Sequence, residues 1–198
     1  PQVASVLRAQ TANLSNVTAI QGDLLKVQLP PFNKVISLPP YYLSTDLLMW
    51  LFEHSFDCAV LVVQKEFAQR LTAEVGAEDY SWLTVVTYHH AIAELLDQVP
   101  KDLFYPKPEV DSAILRLTPH KTQHCKVVDK ARFVRLLKSL FTERNKKLSK
   151  AITPFLRNNF KMSKHEAEQL AQTLPFRDRR VRVLSPEEFG AVSNALPN

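Results

Sequence analysis

Apolar residues in the first 119 positions fall in short runs, rich in β-branched side chains, that alternate with stretches of helical period. Four runs predict strands, at residues 17–20, 34–37, 58–63 and 113–117. Helix-like stretches lie at residues 3–12, 45–54 and 64–73. Strands that alternate with helices are typical of an α/β fold with a largely parallel sheet.

The period changes to 3.6 residues after Asp129, which has the side chain of an N-cap residue. Five apolar residues then follow on one helical stripe, namely Phe133, Leu136, Leu137, Leu140 and Phe141. Residues 163–166 and 185–188 both have the form of a capping box. We therefore predict two domains, joined through the polar stretch 119–126: an α/β domain over residues 1–119 and a small all-helical domain over residues 120–198.

Charge divides the chain at the same place. Residues 1–119 carry 8 Lys/Arg against 13 Asp/Glu, a net charge of −5, whereas residues 120–198 carry 17 against 7, a net charge of +10. A strongly basic domain beside a mildly acidic one indicates a polyanionic partner, because each phosphate that is neutralised releases counterions. Solvated helix faces that hold many lysines are the alternative interpretation.

Other compositional features exclude several classes of protein. The longest strictly apolar run has six residues, and no membrane span or signal peptide is evident, so we expect a cytoplasmic protein. Cys58 and Cys125 indicate neither a disulfide framework nor a metal site. His89 and His90 point about 100° apart on a helix and do not chelate one metal, so a partly buried histidine is the better interpretation.

Glycine is scarce. The three glycines, Gly22, Gly76 and Gly190, lie too far apart for a phosphate-cradling loop. A doubly wound fold is also expected to have strands before residue 17. We therefore interpret the chain as the carboxyl-terminal portion of a longer protein, or as a domain whose first strands are missing.

The most informative stretch is residues 35–45, where a β-branched run breaks at Pro39 and Pro40 and continues into Tyr41 and Tyr42. Two prolines cannot continue a central strand, so the backbone leaves the sheet there. Tyr41 is thereby placed at the carboxyl end of a strand, where open α/β sheets bind their ligands. This pattern predicts an active-site turn.

Four segments together resemble the ribosomal RNA small-subunit adenine dimethyltransferases. They are Gln-Gly-Asp-Leu-Leu at 21–25, Ser-Leu-Pro-Pro-Tyr at 37–41, Val-Gln-Lys-Glu-Phe-Ala-Gln-Arg-Leu at 63–71 and Phe-Tyr-Pro-Lys-Pro-Glu-Val-Asp-Ser-Ala at 104–113. The segment Leu-Phe-Thr-Glu-Arg-Asn-Lys-Lys-Leu at 140–148 is similar to the basic helix of that family. The resemblance implies a Rossmann-like methyltransferase sheet and transfer of methyl groups from S-adenosylmethionine to adenine N6. The family's glycine-rich cofactor loop has no counterpart here.

The resemblance also implies roles for individual residues. Asp23, the Leu24 amide and Ser37 would contact the cofactor, with Asp23 accepting a hydrogen bond from its adenine amine. Tyr41 and Phe104 would hold the target adenine between their rings. A surface aspartate and two core aromatic residues are the alternative interpretations.

Position 38 departs from the family pattern. An asparagine, aspartate or serine is expected there to accept a hydrogen bond from the target amine, and Leu38 leaves only the backbone carbonyl of Pro39, ahead of Pro40, for that task. Losing such an acceptor costs about 1–3 kcal/mol. Either Ser37 replaces it, or the chain is a weak or inactive member that survives by binding RNA.

The implied partner is small-subunit rRNA or a pre-ribosomal particle, with the protein acting as a monomer. The residues expected to contact RNA phosphates are Arg144, Lys146, Lys147 and Lys150. A non-catalytic RNA-binding or ribosome-assembly module is the first alternative. A large-subunit antibiotic-resistance methyltransferase is the second alternative. It is disfavoured because the sequences of residues 104–112 and of the carboxyl-terminal part are closer to the small-subunit group.

Overall fold

A computed structural model describes residues 2–121 and 127–197 of the chain. Its strands are β1 Lys34–Ser37, β2 Cys58–Gln64, β3 Ala91–Val99 and β4 Ser112–Pro119. Its α-helices are α1 Gln2–Thr11, α2 Ser44–Phe52, α3 Lys65–Thr72, α4 Trp82–His90, α5 Lys130–Phe141, α6 Leu148–Ala151, α7 Thr153–Phe160, α8 Lys164–Thr173 and α9 Pro186–Asn194. Short 3-10 turns lie at Tyr41–Leu43, Lys101–Leu103 and Val181–Val183.

The strands form one mixed sheet in the order β1-β2-β4-β3. β1 and β2 are parallel neighbours, whereas β4 lies antiparallel between β2 and β3. The prediction of a largely parallel sheet was therefore wrong for two of the three pairings, although β1, β2 and β3 run in the same direction. The inserted β4 makes the other two pairings antiparallel.

Two details of the predicted sheet were wrong. Residues 17–20 form no strand, because a strand needs a hydrogen-bonded neighbour and no described segment pairs with them. The prediction also missed β3, most of whose side chains are exposed. Its alternation is broken by a register shift between Leu95 and Asp97, which explains why no period-2 signal was visible. Arg116 on β4 donates to Glu94 on β3 at 2.8 and 3.0 Å, and this pair supports the register.

The helical predictions were confirmed. The stripe on α5 buries Phe133, Leu136, Leu137 and Leu140. The Asp129 carboxylate accepts the Arg132 N–H at 2.8 Å, and both capping boxes are formed. Cys125 and residues 122–126 of the linker lie outside the described residues, and no helix of the described part is long and apolar enough to cross a membrane.

Two buried clusters fill the molecule. One packs α2 and α3 against the sheet, and the other is centred on α5 to α9 but includes Tyr80, Val85 and Val86 from the first part of the chain. The Tyr80 hydroxyl donates to the Leu184 carbonyl at 2.7 Å. His89 contributes a further contact, with its Nε2 at 3.0 Å from the Pro186 carbonyl. The region around α4 thus attaches the sheet to the helical part.

Candidate active site

The first wall of the site is the turn that follows β1. Pro39 and Pro40 end the strand as predicted, and the chain continues in the 3-10 turn Tyr41–Leu43 directly into α2. The Leu43 N–H donates to the Pro40 carbonyl at 2.8 Å. This bond fixes the backbone on both sides of Tyr41.

The second wall is the loop between β3 and β4, which carries Phe104. Asp111 closes this loop, because its carboxylate accepts the Lys101 N–H at 3.0 Å across ten residues. The Asp111 carbonyl also accepts the Lys65 N–H at 3.0 Å, so the loop is attached to the start of α3. Lys101 Nζ donates to the Glu109 carbonyl at 3.2 Å. Phe104 therefore lies on a loop whose two ends are held together.

Ser112 joins the two walls. It is the first residue of β4, it is fully buried, and its Oγ lies 2.6 Å from the hydroxyl oxygen of Tyr41. No role for Ser112 was predicted from the sequence. The feature that could have indicated a role is its position, since Ser112 is a polar residue directly before the buried apolar run of β4.

The walls enclose a pocket of about 330 Å³, the target pocket, named for the base that its residues are predicted to hold. It is lined by Leu38, Pro39, Pro40, Tyr41, Val62, Phe104, Pro106 and Pro108. All five residues predicted to act at the target base therefore lie together. Because the side chains are almost entirely apolar, polar recognition of a ligand inside the pocket falls to backbone groups.

A second pocket, also of about 330 Å³, lies along β1 and includes Leu24, Phe32, Ser37 and Trp50 in its lining. Ser37 and Leu38 are consecutive, yet they line different pockets. The structure thus brings Leu24 and Ser37 together as predicted, and it places Ser37 outside the lining of the target pocket. The apolar walls and the Ser37 hydroxyl fit the flat ring of an adenine.

Asp23 lies at the surface beside this second pocket and is not part of its lining. Its carboxylate accepts the Leu25 N–H at 3.1 Å and pairs with Lys26 at 3.3 Å. These bonds stabilise the local turn. Both carboxylate oxygens thus have a local partner, and each keeps a lone pair for the predicted contact between Asp23 and the cofactor.

The four predicted RNA contacts lie near the start of α6 but differ in their surroundings. Arg144 donates to the carbonyls of Glu78 and Ala77 at 2.8 and 2.9 Å, so it ties the helical part to the loop after α3. Lys146 pairs with Glu143 at 2.9 Å, and Lys147 pairs with Asp178 at 3.3 Å.

Lys150 differs from these three residues. It is exposed and lines a groove of about 600 Å³ between α6 and α8, and no ion pair to it occurs within residues 2–121 and 127–197. Lys150 is therefore the predicted contact whose ammonium group is best placed to meet a phosphate.

Sequence comparisons show which known proteins this chain is similar to. The family model described as ribosomal RNA adenine dimethylase matches residues 1–182. A probable ribosomal RNA small subunit methyltransferase A from Methanosarcina acetivorans is 38% identical over 198 residues, covering 99% of this chain and 72% of that protein. The protein of the same description from Thermococcus kodakarensis is 36% identical, covering 98% of this chain and 69% of its own length.

Solved structures agree with the sequence comparisons. A dimethyladenosine transferase from Plasmodium falciparum matches with a TM-score of 0.81 at 25% identity, covering 96% of this chain and 77% of that one. The 23S rRNA methyltransferase ErmE shares the fold, with a TM-score of 0.67 at 24% identity over 99% of this chain and 78% of that one. The α/β Rossmann-like methyltransferase fold expected from the sequence is thus confirmed. Because the family model spans both pocket walls and most of the helical part, the chain belongs to the ribosomal RNA adenine dimethylase family.

Proposed function

We propose that this protein transfers methyl groups from S-adenosylmethionine to N6 of adenine in small-subunit rRNA. The observation that carries the proposal is the apolar pocket at the carboxyl ends of β1 and β2, whose lining includes both Tyr41 and Phe104. Such a pocket suits one flat base taken out of its stack. Family membership and the similarity to small-subunit methyltransferases support the same reaction.

Tyr41 and Phe104 would hold the extruded adenine by stacking, which contributes about 1–3 kcal/mol per base. Val62 and the proline side chains offer apolar surface against the base. Such a surface matters because hydrogen bonds to the amine are stronger in an apolar site than in water.

The amine of adenine is a weak nucleophile, because its lone pair is delocalised into the ring. An acceptor on its N–H groups draws density back to the nitrogen, and in this chain the Pro39 carbonyl is the group assigned to that task. The hydrogen bond strengthens as the nitrogen becomes positive, and one N6 proton is released for each N–C bond formed. Leu38 supplies no second acceptor.

S-adenosylmethionine supplies an electrophilic methyl group when it is bound. In this chain Leu24 and Ser37 would hold its adenine ring in the second pocket, with Asp23 at the edge. Because Ser37 and Leu38 are adjacent, the β1 turn orients both ligands.

We further propose that the basic helical domain, residues 120–198, grips small-subunit rRNA or a pre-ribosomal particle through phosphate contacts, with Lys150 as the principal one of the four predicted cations. The protein would act as a monomer, and a cytoplasmic location remains the expectation. A non-catalytic rRNA-binding module is the second candidate, and Leu38 is the observation that favours it, since it lines the target pocket where an acceptor is expected.

Methyl transfer from labelled S-adenosylmethionine to small-subunit rRNA tests the proposal, with the cofactor supplied at millimolar concentration. Tyr41→Ala and Phe104→Ala should each lower the single-turnover rate, whereas Leu38→Asn should raise it about 5- to 150-fold by supplying an acceptor worth about 1–3 kcal/mol. Leu14→Asn, an equivalent change at an exposed leucine outside both pockets, is the matched control. RNA binding without methylation by any variant would favour the binding module.

A further inference from the structure

Exposed apolar side chains are concentrated on the two segments that form the walls of the target pocket. Within the described residues, seven large hydrophobic side chains are more than 60% exposed, and four of them are Leu38, Tyr42, Leu103 and Tyr105. Tyr42 is 81% exposed, and Tyr105 is 102% exposed. An apolar cluster of this kind at the rim of a binding pocket indicates a contact surface.

The two tyrosines are attached to a well-defined backbone. Tyr42 directly follows the pocket residue Tyr41 and lies inside the 3-10 turn that the Leu43–Pro40 bond closes. Tyr105 lies between the pocket residues Phe104 and Pro106, on the loop that Asp111 closes. One exposed ring therefore stands on each wall of the pocket.

The two lysines of the loop between β3 and β4 are held by local partners. Lys107 forms an ion pair with Asp102, and Lys101 donates to the Glu109 carbonyl. Such a surface offers little to phosphate groups, in contrast to the basic helical domain. Flat, exposed aromatic rings instead match the faces of unpaired bases.

We propose that Tyr42 and Tyr105 are stacking platforms for the two bases that flank the target adenine. The inference rests on the proposed function and specifies its substrate as unpaired RNA of at least three consecutive nucleotides. The adenine enters the pocket, its neighbours stack on the two rings, and Leu38 and Leu103 cover the remaining apolar surface. Salt-sensitive phosphate contacts belong to the helical domain, so the two parts of the interface are separable by experiment.

The test measures binding of the whole chain to fluorescent RNA hairpins by anisotropy. The reference hairpin has one adenine in a loop of uridines, and two further hairpins carry an abasic nucleotide on the 5′ or the 3′ side of that adenine. Tyr42→Ala and Tyr105→Ala are compared with Tyr42→Phe and Tyr105→Phe. Val128→Ala, at an exposed apolar side chain outside both pockets, is the matched control.

We expect each alanine variant to weaken binding of the reference hairpin about fivefold or more, and each phenylalanine variant and Val128→Ala to leave it unchanged. Removing one flanking base should weaken binding to the wild type but not to the variant that has lost the matching ring. The dependence of affinity on salt should be the same for all variants.

The proposal is overturned if the alanine variants bind the reference hairpin like the wild type, which would assign the exposed rings to another partner. It is also overturned if removing a flanking base weakens binding equally for the wild type and for the alanine variants. The same holds if the alanine substitutions weaken binding of fully paired RNA as much as binding of the reference hairpin. These results differ from failure of the proposed function, in which the wild type distinguishes the hairpins as expected yet transfers no methyl group to them.

Discussion

The hydrogen bond between Tyr41 and Ser112 gives a quantitative test of how the target pocket is held together. The two oxygens are 2.6 Å apart, and they join the β1 turn to β4 across 71 residues of sequence. Ser112→Ala removes one partner and leaves the half-buried Tyr41 hydroxyl without the other. We expect this change to lower the free energy of unfolding by about 1–2 kcal/mol, which includes a net hydrogen bond of about 0.5–1.5 kcal/mol.

A double-mutant cycle isolates the bond from other effects. Ser112→Ala, Tyr41→Phe and the combined variant are unfolded in urea, and the loss in the combined variant should be smaller than the sum of the single losses by about 0.5–1.5 kcal/mol. Thr118→Ala, a hydroxyl deletion on the same strand outside the target pocket, is the matched control and should add to Tyr41→Phe without coupling.

The same variants connect the bond to function. If Ser112 positions the Tyr41 ring, Ser112→Ala and Tyr41→Phe should lower the single-turnover rate by similar factors while KM for RNA changes less, because the stacking surface is kept and only its orientation is loosened. Strict additivity of the unfolding free energies would refute the reasoning. So would a rate unchanged by Ser112→Ala.

Three further predictions concern the cofactor, the RNA and pH. Calorimetry should show that this chain binds S-adenosylmethionine no more tightly than millimolar, since it lacks a glycine-rich loop, and micromolar affinity would refute both that argument and the placement of the site. Lys150→Glu should weaken rRNA binding and reduce its dependence on salt between about 50 and 200 mM without changing thermal stability. Arg144→Glu should weaken binding in the same way and should also lower the unfolding temperature. Arg8→Glu is the control. The pKa of His90 is lowered in the folded protein, chiefly by burial, so the unfolded chain binds more protons. The free energy of unfolding should therefore fall as the pH drops through about 6.5. This loss should be smaller in His90→Gln.

Much of the fold could be predicted from local patterns, because the residues in those patterns are the ones that become buried or hydrogen-bonded in the folded protein. The stripe on α5 has helical period and is buried, and the caps at Ser163 and Ser185 use hydrogen bonds three residues apart. β2 and β4 were predicted from their apolar runs, because the side chains of those runs are buried in the sheet core. The strand prediction failed at residues 17–20, where the local pattern lacks a partner, and at β3, where pairing with β4 overrides a weak pattern.

The site shows the same division. Proline chemistry located the turn at Pro39 and Pro40, and the resemblance supplied Phe104 from a segment more than 60 residues away. Neither source of information indicated that Ser112 would bond to Tyr41, because that contact depends on the register of β4 beside β2. The place of Ser37 in the second pocket likewise depends on tertiary packing, because residues from the segment 20–32 and from α2 contribute most of the lining of that pocket.

The net charge of the helical domain illustrates a further limit of sequence reasoning. Several of its arginines donate to neutral carbonyls, as Arg144 does to Ala77 and Glu78 and Arg177 does to Gln172 at 2.6 Å. A guanidinium bound in this way keeps its charge, so it still attracts RNA over the length of the salt-screening distance. It is not free to move onto a phosphate without giving up a structural bond. We therefore expect long-range attraction from residues 120–198 as a whole, and we propose that close phosphate contact falls to exposed lysines such as Lys150.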